Sequence, residues 1–425
     1  MRRDDPRRVA FDVLRAVDEA DAYSNLELGR VLRERRLSGR DAAFATELVS
    51  GTLRMRGAYD VVLGSLVSRR LDPPVRDALR LGAHQLLGMR VPAHAAVGTT
   101  VSLVRAAVGH RPAGLVNAVL RKVSVRDFDS WMEHLDAPAV ARFSHPGWVV
   151  DLLAEALGPR HEELPALLEA DNRAPKVTLV ARPGLAGREE LGGEPLGISP
   201  YAVELPGGDP GGLPAVREGR AGVQDAGSQL VALLTTTAPV DGNDNRWLDM
   251  CAGPGGKSAL LAALAAQRDA RVVAGERQPH RAELVRSAVR ATGRGMAGVV
   301  VADGTRPPWP PDRFDRVLVD APCTGLGVLR RRPEARWRRS HDDLDDLVPL
   351  QRALLGAALD AVRPGGVVCY ATCSPVVAET AEVVSAVLAD RADLELLDAP
   401  GMVPWVEGAE STSQPGAVQL WPHLH

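Results

Sequence analysis

Cysteine is scarce: the chain of 425 residues has four, Cys251, Cys323, Cys369 and Cys373. All lie in the C-terminal half, and none forms a paired CxxC or Cys/His spacing. This excludes a disulfide scaffold and a zinc module, and no metal is expected. Lysine is scarcer still, with 3 (Lys122, Lys176, Lys257) against 48 arginines, a bias we read as genome composition that makes each lysine informative. Long apolar runs are missing as well. The nearest approach, Ala259–Ala266, is far short of the about 20 residues a membrane-spanning helix needs. No apolar h-region follows the opening MRRDDPRR, so no secretory signal is expected, and the default is a soluble cytoplasmic protein with no membrane partner. An excess of either charge is also lacking. The net charge of −3 advertises no strongly basic nucleic-acid binder. The mean hides a division, however. Residues 1–126 hold 22 basic and 13 acidic residues, a net of +9, whereas the remaining 299 hold 29 basic and 41 acidic, a net of −12. A basic module joined to an acidic one is implied. The hydrophobic share of 45% and charged share of 25% are ordinary for globular chains, and the length predicts about three domains.

Residues 6–125 read as helix after helix. Val9, Val13, Leu14 and Val17 recur at helical spacing, and Ser24-Asn-Leu-Glu27 fits a capping box opening a second helix. Longer periodic stretches at 41–68, 73–88, 94–108 and 112–123 are broken by Pro73-Pro74, Pro92 and Pro112, so about six helices are predicted. Residues 127–175 stay mostly helical, and Lys176–Ala181 is the first clear strand. A small α+β connector is expected over 140–225, with a helix at Gln224–Thr235 leading onward. From 246 the pattern becomes strand, loop, helix, repeated, with strands at 246–250, 271–275, 298–302, 315–320 and 367–372. Helices are expected at 257–267, 279–292, 343–362 and 378–389. Repeated β-α units imply a parallel sheet with helices on both faces.

Open parallel sheets bind ligands beyond the carboxyl ends of their strands. Five strands here end on Asp249, Glu276, Asp303, Asp320 and Cys373. The first loop, Asp249-Met-Cys-Ala-Gly-Pro-Gly-Gly-Lys257, fits neither GxxxxGK[ST] nor GxGxxG. Its glycines let the backbone pass close to a ligand, and the next helix offers free N–H groups. Glu276 is placed to accept ribose hydroxyls, or to serve as a helix-start acid, with Arg281 one turn beyond. Asp303 is placed to accept from an adenine amine or to close a turn. The fourth strand ends Asp320-Ala-Pro-Cys-Thr-Gly325 and the fifth Ala371-Thr-Cys-Ser-Pro375, which brings Cys323 and Cys373 into one crevice. Cys373 precedes a helix whose N-terminus favours thiolate. Cys369, in mid-strand, reads as a small hydrophobe, and Cys251 as a non-reacting lining residue. A nucleoside cofactor, a thiolate and an adjacent acid together point to covalent catalysis.

The string DMCAGPGGK resembles the cofactor loop of class I methyltransferases of the RNA cytosine-5 family. DAPCTG resembles that family's fourth motif, usually DAPCSG, and ATCSP its sixth; Arg331–Trp337 and Gln351 also fit. The N-terminal helices are similar to the RNA-binding antiterminator NusB. A NusB-like domain fused to this catalytic domain is the layout of the RsmB/Sun 16S rRNA methyltransferases, a resemblance that covers nearly the whole chain. It implies a multidomain protein: an all-α NusB-like domain over 1–130, a small α+β connector over 140–225 and an α/β Rossmann-like class I methyltransferase domain over 226–425. The implied activity is transfer of a methyl group from S-adenosyl-L-methionine to C5 of a cytosine in 16S rRNA.

The same resemblance assigns the site. Cys251, Ala252, Gly253, Pro254, Gly255, Gly256 and Lys257 would hold the methionine part of the cofactor. Glu276, with Arg281, would hold its ribose and Asp303 its adenine. Asp320 would lie between cofactor and cytosine. It also makes Cys373 the nucleophile and Cys323 the helper in product release; spacing cannot decide this, because DNA cytosine-5 methyltransferases attack with the Pro-Cys cysteine. The chemistry needs such a site, since C5 becomes nucleophilic only after a thiolate adds at C6. The run Arg330–Arg339, with six arginines and one glutamate, is expected at the crevice rim to pair with RNA phosphates or stack on bases, Trp337 being equally a candidate packing anchor. The partner expected is 16S rRNA, bound by a monomer. The family usually continues past the LWPHLH that ends this sequence, so its last sheet strands are expected to be missing or replaced. A non-enzymatic NusB-like assembly factor and a cytosine-5 enzyme for another RNA are the competing readings.

Overall fold

The computed structural model describes residues 4–20 and 22–425; Met1–Arg3 of the opening MRRDDPRR lie outside the described residues. The chain divides into two compact units. One comprises Met1–Ala154, Glu162–Ala174 and Val328–Ser340, the other Glu155–His161, Pro175–Gly327 and His341–His425. This division differs from the expected three segments. The helices from 128 to 171 go largely with the N-terminal helices, and the short strands of the expected connector go with the large sheet.

The first unit is helical. Its N-terminal part holds Pro6–Ala20, Ser24–Glu34, Gly39–Arg54, Arg56–Leu66, Pro73–Ala83, Ala93–Ala107 and Ala113–Val123. These are seven helices rather than six, because the stretch 41–68 breaks at Met55, whose ψ of 15° leaves the helical range. Val9, Val13, Leu14 and Val17 of the first helix enter one core with Leu48, Leu79, Leu103 and Leu120. The fifth helix ends in a π turn at His84–Gly88. There the His84 ring packs where Gly51 has no Cβ, and its Nδ1 lies 2.9 Å from the Tyr59 hydroxyl.

The arginine run belongs to this helical unit. Glu334 is buried and accepts from the Ser24 amide at 3.2 Å and the Ser24 hydroxyl at 2.8 Å. Ser24 therefore makes no capping box with Glu27, which pairs with Arg30 instead. The local rule loses to a buried carboxylate that needs two donors. Arg336 is fully buried, donating to Asn172 Oδ1 at 2.9 Å and to the carbonyl of Ser144 at 3.1 Å. The carbonyls of Arg54 and Asp171 lie 3.4 Å from its guanidinium, and burial pushes its pKa down to about 10. The Trp337 indole donates to the Leu53 carbonyl at 2.8 Å over Gly57, where a Cβ would meet the ring at 2.5 Å. The expectation is thus corrected at one arginine: Arg336 is a buried packing anchor, and Trp337 takes the second of its two expected roles, while Arg330, Arg331, Arg338 and Arg339 are half-buried and Arg332 is exposed, stacked over Tyr23. Replacing Arg336 by Met takes the guanidinium from the carbonyls of the buried residues Ser144 and Asp171. We expect a loss of about 3 kcal/mol, read as a lowered denaturant midpoint; an unchanged midpoint contradicts this account.

The second unit carries two sheets. The strands β1 (Thr178–Ala181), β2 (Glu194–Pro195), β3 (Ala202–Glu204) and β4 (Ala221–Val223) form an antiparallel sheet in the order β2-β3-β1-β4. The strands β5 (Arg246–Asp249), β6 (Arg271–Glu276), β7 (Met296–Val301), β8 (Phe314–Asp320) and β9 (Val362–Ala371) form a parallel sheet in the order β7-β6-β5-β8-β9. These central strands are Val- and Leu-rich because helices cover both faces. The apolar run at 259–266 lies on the helix Gly256–Ala266 and is buried from Ala259 to Ala265. The strand order reverses between β5 and β8, and such a switch point opens a crevice at the carboxyl ends. Beyond β9 the described residues add no strand to this sheet; they hold a helical turn, Val377–Glu379, the expected helix at Ala381–Ala389, a short helix, Ala399–Met402, and an isolated bridge between Glu410 and Val418.

Candidate active site

Asp249 and Asp320 end the two strands that flank the switch point. Asp249 is buried; its Oδ2 accepts from the Ser258 hydroxyl at 2.6 Å, and its Oδ1 has no partner. Burial first, then repulsion from Asp320 and Glu276, outweighs the Ser258 hydrogen bond and the Lys257 charge and lifts its pKa to about 7. A raised folded-state pKa stabilises the fold fully below the unfolded value, near 3.8, and that contribution is lost as pH rises through about 7. Asp249→Asn cannot ionise. Its thermal midpoint should therefore gain on the parent's between pH 5 and 8, and a difference that stays constant over that range would refute the raised value.

The loop after β5 is built around close approaches. Gly253 donates its amide to Glu276 Oε2 at 3.0 Å, and its carbonyl accepts from Arg281 Nη2 at 2.6 Å. A Cβ on Gly253 would lie 2.2 Å from that carboxylate oxygen. The Gly253-Pro254 peptide is cis, and Gly255, at φ 108°, begins the helix where a side chain would strike Val285 and Ala288. Ala252 is buried and donates to the Gly275 carbonyl at 2.9 Å. Glu276 Oε1 accepts from the Gln278 amide at 2.9 Å, so its carboxylate ties this loop to the start of the next helix. Burial, followed by Asp249, Asp320 and Glu276, drives the Cys251 thiol far up, so it stays protonated. Asp303 Oδ1 closes a turn by accepting from the Thr305 amide and hydroxyl at 2.9 and 2.8 Å, bonds that hold its pKa down. Its Oδ2 lies 3.8 Å from Arg277.

Lys257 projects from the first turn of its helix to Asp320, with Nζ 2.7 Å from Oδ2. Burial opposes its charge, but Asp320, with Cys373 and Asp249, raises its pKa overall. The register of β8 on β9 sets Asp320 beside Ala371, and the Ala321 amide donates to the Ala371 carbonyl at 2.8 Å. Cys323 lies three residues past one partner and Cys373 two past the other. Their sulfurs face each other at 3.4 Å, Cys373 exposed and Cys323 half-buried. The hydrogen bond from Cys373, then burial, then the charge of Cys373 hold the Cys323 pKa well above that of a free thiol. The Gly327 amide donates to the Cys373 carbonyl at 2.9 Å and fixes that turn.

Beneath the thiols lies a buried cluster of Thr324, Gln351, Ser374 and Glu379. Glu379 is not legible from the sequence. It sits in a turn at Val377–Glu379, past the strand end, where no periodicity or spacing marks it. Cys369 packs against the apolar core of the sheet, its thiol pushed up by burial.

The family model "16S rRNA methyltransferase RsmB/F" matches residues 235–425, and the NusB family model matches residues 4–125. The chain is 50% identical to a Mycobacterium tuberculosis protein with a provisional methyltransferase name, over 99% of this chain and 94% of that one. It is 35% identical to the ribosomal RNA small subunit methyltransferase B of Vibrio cholerae, over 85% and 86% of the two chains. Among solved structures, the crystal structure of PH0851 superposes with a TM-score of 0.79 at 21% identity, covering 99% of this chain and 96% of that one. NSun6 from Pyrococcus horikoshii with SFG superposes at 0.54 and 18% identity, covering 66% and 95%. Both structural likenesses concern the fold.

Proposed function

Because this chain belongs to the RsmB/F family of 16S rRNA methyltransferases, we propose that it transfers a methyl group from S-adenosyl-L-methionine to C5 of a cytosine in 16S rRNA, through a bond between Cys373 and C6. The observation that carries this reading is the pair of sulfurs 3.4 Å apart at the ends of β8 and β9, in the crevice that also holds the Lys257–Asp320 ion pair.

The residues present suit the cofactor. Glu276 and Asp303 are acceptors for a ribose diol and an adenine amine. The Cβ-free backbone from Gly253 to Gly256 leaves room for close approach, together with Cys251, Ala252 and Pro254. Asp320 and Glu276 are carboxylates near the loop, which suits a sulfonium, and buried Asp249 Oδ1 has no hydrogen-bond partner within the protein. The bound cofactor supplies an electrophilic methyl group.

The protein's own residues do the rest. The target base leaves its stack to reach the thiols. Lys257 places positive charge near Cys373 and favours its thiolate, which adds to C6 and displaces the C5=C6 electrons so that C5 becomes the atom that takes the methyl group. Asp320, held by Lys257, faces N3 and the exocyclic amine and stabilises charge that develops on the ring. Cys323 begins as a thiol because Cys373 holds it there. Once the Cys373 sulfur is bonded to C6, that hydrogen bond and that charge are gone, and Cys323 gives its proton to solvent. As thiolate it takes the C5 proton, and the electrons of that C–H bond expel Cys373. The helical unit, with the net +9 of residues 1–126, adds phosphate contacts and a salt-dependent affinity.

The test is incubation with methyl-labelled cofactor and unmodified 16S rRNA, followed by digestion to nucleosides. The label is expected in 5-methylcytidine from 16S rRNA; label in another nucleoside, or in tRNA alone, overturns the assignment.

A further inference from the structure

The cluster under the thiols has no role in the reaction as drawn, yet it contains a fully buried carboxylate. We propose that Glu379 is the positioning residue of the two-thiol centre: it bolts the turn carrying Cys323 to the turn carrying Cys373 and sets which sulfur attacks. The proposal rests on the cysteine reading above and deepens it.

The bonds surround Cys323 on both sides. Glu379 Oε1 accepts from the Thr324 amide at 2.7 Å and from Gln351 Nε2 at 3.0 Å. The same Gln351 amide donates to the Pro322 carbonyl at 2.8 Å. Residues 322 and 324 are thus both tied to one carboxylate. Glu379 Oε2 accepts from the Thr324 hydroxyl, which lies 3.0 Å from the hydroxyl of Ser374, the residue after Cys373. The Glu379 carbonyl accepts from Tyr370 on β9 at 2.8 Å. All the bonds to the carboxylate come from donors, as an acceptor-only group requires.

A neutral side chain would pin these turns at lower cost, since a buried carboxylate loses its hydration. The charge has an electrostatic use. The groups acting on Cys323 are Cys373 and Glu379, which disfavour its thiolate, and the Gly325 amide, which opposes them, with the Tyr370 phenol close by. Lys257, paired with Asp320, acts on Cys373. Negative charge stands on the Cys323 side and positive charge on the Cys373 side. Both push the proton of the pair onto Cys323 and leave Cys373 as the nucleophile.

Glu379→Gln separates charge from shape. Its carbonyl can still accept from the Thr324 amide and Gln351, and its NH2 can donate to the Thr324 hydroxyl. The full chain, without RNA or cofactor, is treated with iodoacetamide from pH 6 to 9, and each cysteine peptide is quantified by mass spectrometry. In the parent protein Cys373 should be alkylated first. In Glu379→Gln the Cys323 rate at pH 8 should rise about tenfold, the equivalent of one pKa unit. An unchanged ratio of Cys323 to Cys373 labelling across the pH range overturns the proposal. Should Glu379→Gln fail to fold by circular dichroism, Glu379→Asp keeps the charge and must keep Cys373 first; equal labelling of the two thiols in a folded Glu379→Asp overturns it as well. Alkylation needs no methyl transfer. A failure here leaves the methyltransferase reading standing, and a wrong nucleoside product leaves this result standing.

Discussion

Replacing Cys373 by alanine is expected to abolish methyl transfer, by at least about a thousandfold, with cofactor affinity and thermal midpoint nearly unchanged. The size of the loss follows from the chemistry. Without a sulfur bonded at C6, C5 of cytosine remains part of an aromatic ring and does not take a methyl group. The small structural effect follows from the site. Cys373 is exposed, and its turn is held by the Gly327 amide on its carbonyl and by the neighbouring Ser374 hydroxyl. Single-turnover assays with labelled cofactor, alongside calorimetric titration of the cofactor, separate the two effects. Retention of more than about a tenth of the activity would remove Cys373 from the mechanism.

Replacing Cys323 by alanine should produce the opposite defect. Attack needs only Cys373, so the first turnover proceeds and the methyl group is delivered. Elimination needs a base at C5, and the sulfur 3.4 Å from Cys373 is the group placed to act. The variant should accumulate a protein–RNA adduct that survives denaturing gel electrophoresis, with near-stoichiometric loading after one turnover and steady-state turnover lowered by about a hundredfold. Peptide mapping should locate the nucleotide on Cys373. Full turnover with no adduct would mean that solvent or another group takes the C5 proton. An adduct in the parent protein that persists as strongly as in Cys323→Ala would likewise exclude a release role.

The contrast between what was legible and what was not has a physical cause. Asp249, Glu276, Asp303, Asp320 and Cys373 could be picked out because strand periodicity is local and because a parallel sheet sends its strand ends to one edge. Their placement at or just beyond the ends of β5 to β9 needed no knowledge of side-chain packing. The arginine run could not be read this way. Composition marks Arg330–Arg339 as a solvated basic surface, but Arg336 is enclosed by carbonyls of Arg54, Ser144 and Asp171, brought together only by the tertiary fold. Ser24 is a similar case, its capping pattern with Glu27 giving way to Glu334, 310 residues away. Asp303 offered two readings at the start, and its carboxylate does close a turn with Thr305. Glu379 left no mark in the sequence because the groups on its carboxylate, Thr324 and Gln351, come from two segments far from it along the chain.

The central claim is C5 methylation of a 16S rRNA cytosine by attack of Cys373, and base-resolution mapping of 5-methylcytosine in 16S rRNA tests it most directly. The mapping compares cells that have this protein, cells that lack it, and lacking cells given back either the parent chain or Cys373→Ala. The account predicts one or a few cytosines whose methylation disappears with the protein, returns with the parent chain and does not return with Cys373→Ala. A 16S rRNA methylation pattern that is the same in all four, or full restoration by Cys373→Ala, would contradict it.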